Sequence, residues 1–270
     1  MAEPRITVDG LTMAFSGFVV QRDVSFQVPS GDIFVIMGAS GCGKSTLLKH
    51  MIGLVEPAAG DIRYDGKSFT GAAPQERAVM SRRFGVLFQS GALFNSMTVA
   101  DNVALPLREH TDLPEETIEI MVKIKLELVG LREHSEKMPS QLSGGMKKRA
   151  GLARALALDP KILFYDEPSA GLDPVTSAEI DQLIINLNKQ LGVTSVVVTH
   201  EMDSAFRIAD RMVLLDRGKF IVSGTPDEMR DSTDPLVRQF VHGLTEGPLT
   251  DRRRAGGYEV DLLGGVGAVK

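Results

Sequence analysis

The hydrophobic pattern along the chain predicts its core. Four short apolar runs, Ile33–Met37, Ile162–Tyr165, Ser195–Thr199 and Met212–Leu215, are bounded by Gly or charged residues. Continuous apolar runs of this length predict strands of a parallel sheet covered on both faces. Helical segments follow three of them, at Lys44–Gly53, Pro174–Leu191 and Glu201–Ile208. This alternation predicts an α/β fold.

Two other patterns flank that core. The first 30 residues and residues 60–70 read as an antiparallel β appendage, with "AGDIRYDGK" placing a hairpin turn at Asp65-Gly66. Residues 95–140 hold few strand-like runs, and "TDLPEET" opens a helix with a capping residue, Pro114 and then acids. The next stretch, "TIEIMVKIKLELVGL", is apolar at 118, 120, 122, 124, 126 and 128, as a strand would be. Met121 and Val129 break that alternation, and the Glu, Lys and Leu content predicts a helix. The region is therefore expected to be a helical subdomain, about 95–158, inserted within a core of 1–242. Residues 243–270 are expected to form a C-terminal extension; the Gly-rich, charged part from 246 onward reads by itself as a loose tail.

Composition narrows the function. The 270 residues are 43% hydrophobic and 24% charged, ordinary for a soluble globular protein. A net charge of −5 argues against a broad electrostatic grip on nucleic acid, so no nucleic-acid partner is expected. The clusters Lys147-Lys148-Arg149 and Arg252-Arg253-Arg254 read as solvated faces. A single cysteine, Cys42, excludes an intrachain disulfide and fits a reducing compartment. "MAEPRITVDG" has no basic and apolar leader, so no secretory signal is expected. Apolar runs such as "IFVIM" fall far short of the roughly 20 residues a spanning helix needs, so any membrane role is expected through a partner.

The candidate chemistry lies just past the strands. "GASGCGKST", Gly38, Ala39, Ser40, Gly41, Cys42, Gly43, Lys44, Ser45 and Thr46, follows a strand and opens a helix. This is the phosphate-binding P-loop pattern in its required context. Its glycines let backbone N–H groups turn toward an anion at a helix N-terminus. Lys44 can reach the β- and γ-phosphates of a nucleotide, and the Ser45 hydroxyl can ligate Mg²⁺. Cys42 reads as a small residue that fits the loop; a redox role would need a lowered thiol pKa. "ILFYDEP" ends a strand on two carboxylates, with Asp166 suited to the metal and Glu167 to polarising an attacking water. His200 ends another strand in "TSVVVTH" and is expected to donate to the γ-phosphate or the water. These groups converge at the C-terminal ends of parallel strands, where open α/β sheets bind ligands. Ser143, Gly144 and Gly145 open a further helix in "QLSGGMKKRAGLARALAL", a second anion-binding helix end within the chain or across a dimer. Leu152, Ala155, Leu156 and Leu158 mark that helix's apolar face.

Taken in order, "GASGCGKST", "LFQS", "LSGGM", "ILFYDEP", "SAGLD" and "VVVTH" resemble ATP-binding cassette (ABC) ATPases from residue 5 to about 242. The resemblance implies a P-loop NTPase fold of the ABC type, hydrolysing MgATP as a homodimer that sandwiches two ATP molecules. It implies that Ser143 and Gly145 of one copy contact the γ-phosphate held by Lys44 of the other, and that Asp173 lies at the dimer contact. Phe15 aligns with the aromatic residue that stacks on adenine, and Gln89 with the glutamine that joins Mg²⁺ or the water and senses the membrane partner, so Gln89 is expected to end a strand beside the Mg²⁺ site. The apolar "GALF" after Gln89 reads as docking surface, with Leu93 or Phe94 in the core as the alternative.

A narrower resemblance is to the ATPases of bacterial outer-membrane lipid-asymmetry transporters and of Mce-associated systems. It rests on "LFQSGALF", "PLREHT", "ELVGLR", "MPSQLSGGM", "LGVTSVVVTHEM" and the tail "VRQFVHGLTEGPLTDRRRAGGYEVDLL". It implies phospholipid transport, transmembrane permease subunits, Mce-type and small STAS-type partners, and a place on the cytoplasmic face of the inner membrane. It also recasts the tail, with Leu244–Leu263 as a homodimer contact. A P-loop phosphotransferase would not need "LSGGM". A GTPase would need an Asp after Asn188-Lys189, and cassette ATPases of DNA or ribosomes resemble longer or doubled chains.

Overall fold

The computed structural model describes residues 4–15, 18–216 and 219–250, without the side chains of residues 15 and 18–20. In chain order the elements begin with β1 (Pro4–Phe15), β2 (Phe18–Pro29), β3 (Ile33–Met37), α1 (Lys44–Met51), β4 (Ala59–Tyr64), β5 (Lys67–Ser68), α2 (Pro74–Ser81) and β6 (Phe84–Leu87). Next come α3 (Val99–His110), α4 (Glu115–Leu128), α5 (Gly144–Ala155), β7 (Ile162–Asp166), α6 (Pro174–Leu191) and β8 (Thr194–Thr199). The described chain closes with α7 (Met202–Ile208), β9 (Arg211–Asp216), β10 (Lys219–Gly224), α8 (Pro226–Arg230) and α9 (Pro235–His242).

Two sheets form. One has the order β2-β1-β4-β5 and is antiparallel, with Asp65 and Gly66 both at positive φ in the turn between β4 and β5, as predicted. The other has the order β10-β9-β3-β8-β7-β6 and is parallel except for the β9–β10 pair. Side chains alternate across this sheet. Phe34 and Ile36 join a cluster with Leu47 and Leu48 of α1 and the antiparallel sheet, whereas Ile33, Val35 and Met37 face the core that includes the helices after β6.

The ambiguous stretch is the helix α4. Ile118, Val122 and Leu126 are buried on one face, while Ile120 and Ile124 stand exposed on another. The apparent alternation is thus two apolar faces of one helix. Asn188 is buried and donates to the Gly31 and Val193 carbonyls at 2.9 and 2.7 Å, a structural cap rather than a base-recognition residue. Of the C-terminal extension, the residues to Thr250 are described, and the Gln239 amide anchors that segment through Leu244, Leu249 and Thr250. The proposed contact at Leu244–Leu263 otherwise lies outside the described residues, as does Arg252-Arg253-Arg254.

Candidate nucleotide-hydrolysing site

Strand order brings the candidate residues to one sheet edge. β8 lies between β3 and β7, with Met37 opposite Thr199 and Asp166 opposite Val198. The P-loop, the carboxylate pair and His200 therefore leave neighbouring strand ends. β6 pairs on the far side of β7, with Leu87 opposite Tyr165.

The P-loop is closed by its glycines. A Cβ on Gly38 would come within 2.4 Å of the Leu215 carbonyl oxygen and 2.6 Å of Cys42 Sγ. Gly43 has φ 99° and caps α1, so the first-turn N–H groups have no side-chain acceptor. Such a cradle fits an anion. Lys44 is buried and folds back over the loop, donating to the Gly38 and Ala39 carbonyls at 2.8 and 3.1 Å. Gln21, absent from the sequence reading, is buried against this loop and donates to the Cys42 carbonyl at 3.1 Å. Burial, ahead of the opposing Lys44 charge, pushes the Cys42 thiol above its ordinary pKa, which counts against redox sensing and agrees with a residue that merely fits.

Ser45 Oγ donates to Asp166 Oδ1 at 2.8 Å. A hydroxyl beside a carboxylate suits Mg²⁺, a hard cation that takes its remaining ligands from phosphate and water. No cluster of three or more His, Cys, Asp or Glu among the described residues could cage a metal alone. The Ser45 hydroxyl and the Asp166 carboxylate together fit a cation that also binds phosphate.

Glu167 is only 8% exposed and has φ 50°, a left-handed backbone that costs roughly 1–3 kcal/mol outside glycine. Several contacts hold it. Its N–H donates to the Val198 carbonyl at 2.9 Å, and Thr199 Oγ1 and the His200 N–H donate to Oε2 at 3.2 and 3.3 Å. His200 Nδ1 is 2.8 Å from Oε1, and Lys44 Nζ is 4.0 Å from it. The site thus gathers Lys44, Ser45, Asp166, Glu167 and His200 into one constellation.

Ser143, Gly144, Gly145 and Asp173 form a separate group. Ser143 Oγ caps α5, accepting from the Met146 N–H at 3.3 Å. A Cβ on Gly145 would meet Thr176 Cγ2 at 2.5 Å, so the two helix starts are pressed together. Asp173 caps α6 through Val175 and Thr176, and the Thr176 hydroxyl, first among its partners, holds its carboxyl below the usual range. The side chain of Phe15 lies outside the described residues.

Two expectations need correction. Lys147-Lys148-Arg149 is not a solvated face: Lys148 is 4% exposed and donates to the Glu167 carbonyl at 2.8 Å, while Arg149 bridges to Glu179 at 2.7 Å. Desolvation pushes the Lys148 amine down, opposed by Glu167, Glu201 and Asp166. Gln89 does not end a strand. β6 stops at Leu87, and Gln89 sits exposed in the following turn, with no hydrogen bond to Ser45 or Asp166 among the described residues. That turn is tied to α5 instead: Arg154 donates to the Gly91 and Ala92 carbonyls at 3.0 and 2.7 Å. Leu93 packs on the core, whereas Phe94 is half exposed under the Arg154 guanidinium.

A phosphate cradle, a hydroxyl–carboxylate pair and a held glutamate at the ends of parallel strands define a P-loop ATPase. The ABC transporter family model matches residues 21–170, over half the chain, and the chain belongs to that family. It is 46% identical over 243 residues to the intermembrane phospholipid transport system ATP-binding protein MlaF of Escherichia coli K12, covering 90% of each chain. Its identity to the probable ribonucleotide transport ATP-binding protein mkl of Mycobacterium leprae is 45% over 244 residues, 90% of this chain and 70% of mkl. The post-hydrolysis dimer of the ATP-binding cassette MJ0796 bound to ADP and Pi aligns with TM-score 0.75 at 29% identity, covering 82% of this chain and 98% of that one. The expected ABC-type fold and ATPase class are thereby borne out.

Proposed function

We propose that this ABC ATPase powers phospholipid transport through a partner permease, working as a homodimer on the cytoplasmic face of a bacterial inner membrane. The observation that carries the substrate class is the 46% identity to MlaF over 90% of both chains. Mce-type and STAS-type partners belong to the same reading, as does a dimer contact by the extension 243–270. A cleft of about 460 Å³ lined by Phe84, Phe88, Pro106, Arg154 and Leu158 runs beside the Gln89 turn and is a fitting seat for a permease segment.

In this reading the loop from Gly38 to Thr46 wraps the phosphates of ATP, Lys44 turns from its loop carbonyls to the β- and γ-phosphates, and Phe15 stacks on adenine. Ser45, Asp166 and Gln89 would hold Mg²⁺, which supplies charge neutralisation when bound. Glu167 accepts the proton of the attacking water, and His200 orients the carboxylate and the γ-phosphate. Ser143, Gly144 and Gly145 of a second copy close over the nucleotide, with Asp173 at the contact. Closure on ATP and opening after hydrolysis are passed to the permease through the helical subdomain, about 95–158.

The test is co-purification of the full chain from membranes, followed by transfer assays on the complex with ATP. Copurifying permease and ATP-dependent movement of a fluorescent phospholipid are expected. Movement of ribonucleotides instead would favour the second reading, which the 45% identity to mkl raises.

A further inference from the structure

We propose that Lys148 is a positioning residue for Glu167: it clamps the Glu167 main-chain carbonyl so that the carboxylate faces His200. This rests on the reading of Glu167 as the base.

The argument starts from the cost of the residue. Lys148 lies on α5 within one turn of Gly145, yet its side chain runs inward and is 4% exposed. A buried ammonium is unfavourable unless its charge is used. A methionine would fill the same space without that cost. Here the ammonium donates to the Glu167 carbonyl at 2.8 Å, among the carboxylates of Glu167, Glu201 and Asp166.

The acceptor is a peptide that needs holding. Glu167 stands at φ 50°, so its side chain leaves the turn in a direction that an extended or helical backbone would not give. The N–H side of the residue is fixed to Val198, and its carbonyl accepts a short bond from Lys148 at 2.8 Å and a longer one from the Ala170 N–H at 3.3 Å. Between these two anchors the side chain reaches Thr199 and His200. Without Lys148 the carbonyl keeps only the long Ala170 bond, so the charge-assisted anchor is lost, the peptide can turn, and the carboxylate moves with it. Lys44 and the P-loop do not depend on this anchor, because Lys44 is held by Gly38 and Ala39. Loss of Lys148 should therefore impair the chemical step and spare nucleotide binding.

The experiment compares Lys148→Met and Lys148→Arg with the parent, each as the full chain in its membrane complex. Steady-state hydrolysis, binding of a fluorescent ATP analogue and the thermal midpoint are measured. A misplacement near 1 Å costs about 10²-fold, so Lys148→Met is expected to lower kcat by about that factor. KM and ATP affinity should stay within about twofold, the pattern of a group acting on the transition state. Lys148→Arg retains a donor and should recover most of the rate. In a Glu167→Gln background, Lys148→Met should lower the residual rate no further, because the two act as one unit. Full turnover in Lys148→Met, or equal losses in kcat and ATP binding, would overturn the inference, as would an equal loss in Lys148→Arg. If Glu167→Gln itself turns over normally, the base reading fails. If Glu167→Gln is inactive and Lys148→Met is not, the Lys148 inference alone fails.

Discussion

His200 Nδ1 lies 2.8 Å from Glu167 Oε1, joining the ends of two strands that are 33 residues apart in sequence. A proton on Nδ1 lets the ring donate to the carboxylate, and a proton on Nε2 lets it donate to the γ-phosphate. His200 thus shares with Thr199 the work of holding a carboxylate that arises from a left-handed backbone. His200→Ala should lower hydrolysis by about 10-fold or more with ATP binding retained, because an orienting hydrogen bond is lost and the cradle is not. Phosphate release and ATP-analogue binding on one preparation measure both.

Lys44 is expected to matter at an earlier step. Its ammonium is buried in the loop it bridges and has no counterpart elsewhere in the cradle. Lys44→Ala removes the charge that meets the phosphates, so ATP affinity should fall by about 10-fold or more. Equilibrium titration with an ATP analogue checks this; unchanged affinity would remove Lys44 from phosphate binding.

Cys42 gives a pH prediction. Burial raises its pKa above the ordinary thiol value, so the thiolate is scarce at neutral pH and grows only as pH rises past the usual range. Alkylation by iodoacetamide should be slower than that of an unfolded control at pH 7.5, and Cys42→Ser should keep near-parent turnover. Fast alkylation at that pH would restore a reactive role.

The P-loop, the carboxylate pair and His200 were legible because each is a local motif at a strand end, and strand order does the rest. Lys148 was not, because burial is a tertiary property and a Lys-Lys-Arg run resembles solvated surface. A signal was present: Lys148 lies four residues before Leu152, on the apolar face of its own helix. The left-handed conformation of Glu167 left no mark in the residue types, since glutamate rarely adopts it. Nor could the pattern of α4 show that its alternating residues divide between core and exposed faces, because that division depends on where α3 and α5 pack.

The coupling role proposed for Gln89 has a physical route. The turn that carries it is anchored to α5 through Arg154, and α5 begins at the Ser143 cap and reaches Glu167 through Lys148. Gln89→Ala should lower transport-coupled hydrolysis more than ATP binding. Comparison of the ATPase rate with and without the permease reads this difference, and equal loss of both would count against coupling.

The account's central claim is that Glu167 is the base of an ATP-hydrolysing site. Glu167→Gln keeps the side chain's size while removing the negative charge and replacing one of its two acceptor oxygens by an NH₂ donor. Single-turnover hydrolysis in the purified membrane complex should fall by about 10²–10⁴-fold, the worth of a positioned general base. ATP affinity should be retained. Near-normal turnover in Glu167→Gln would contradict the account.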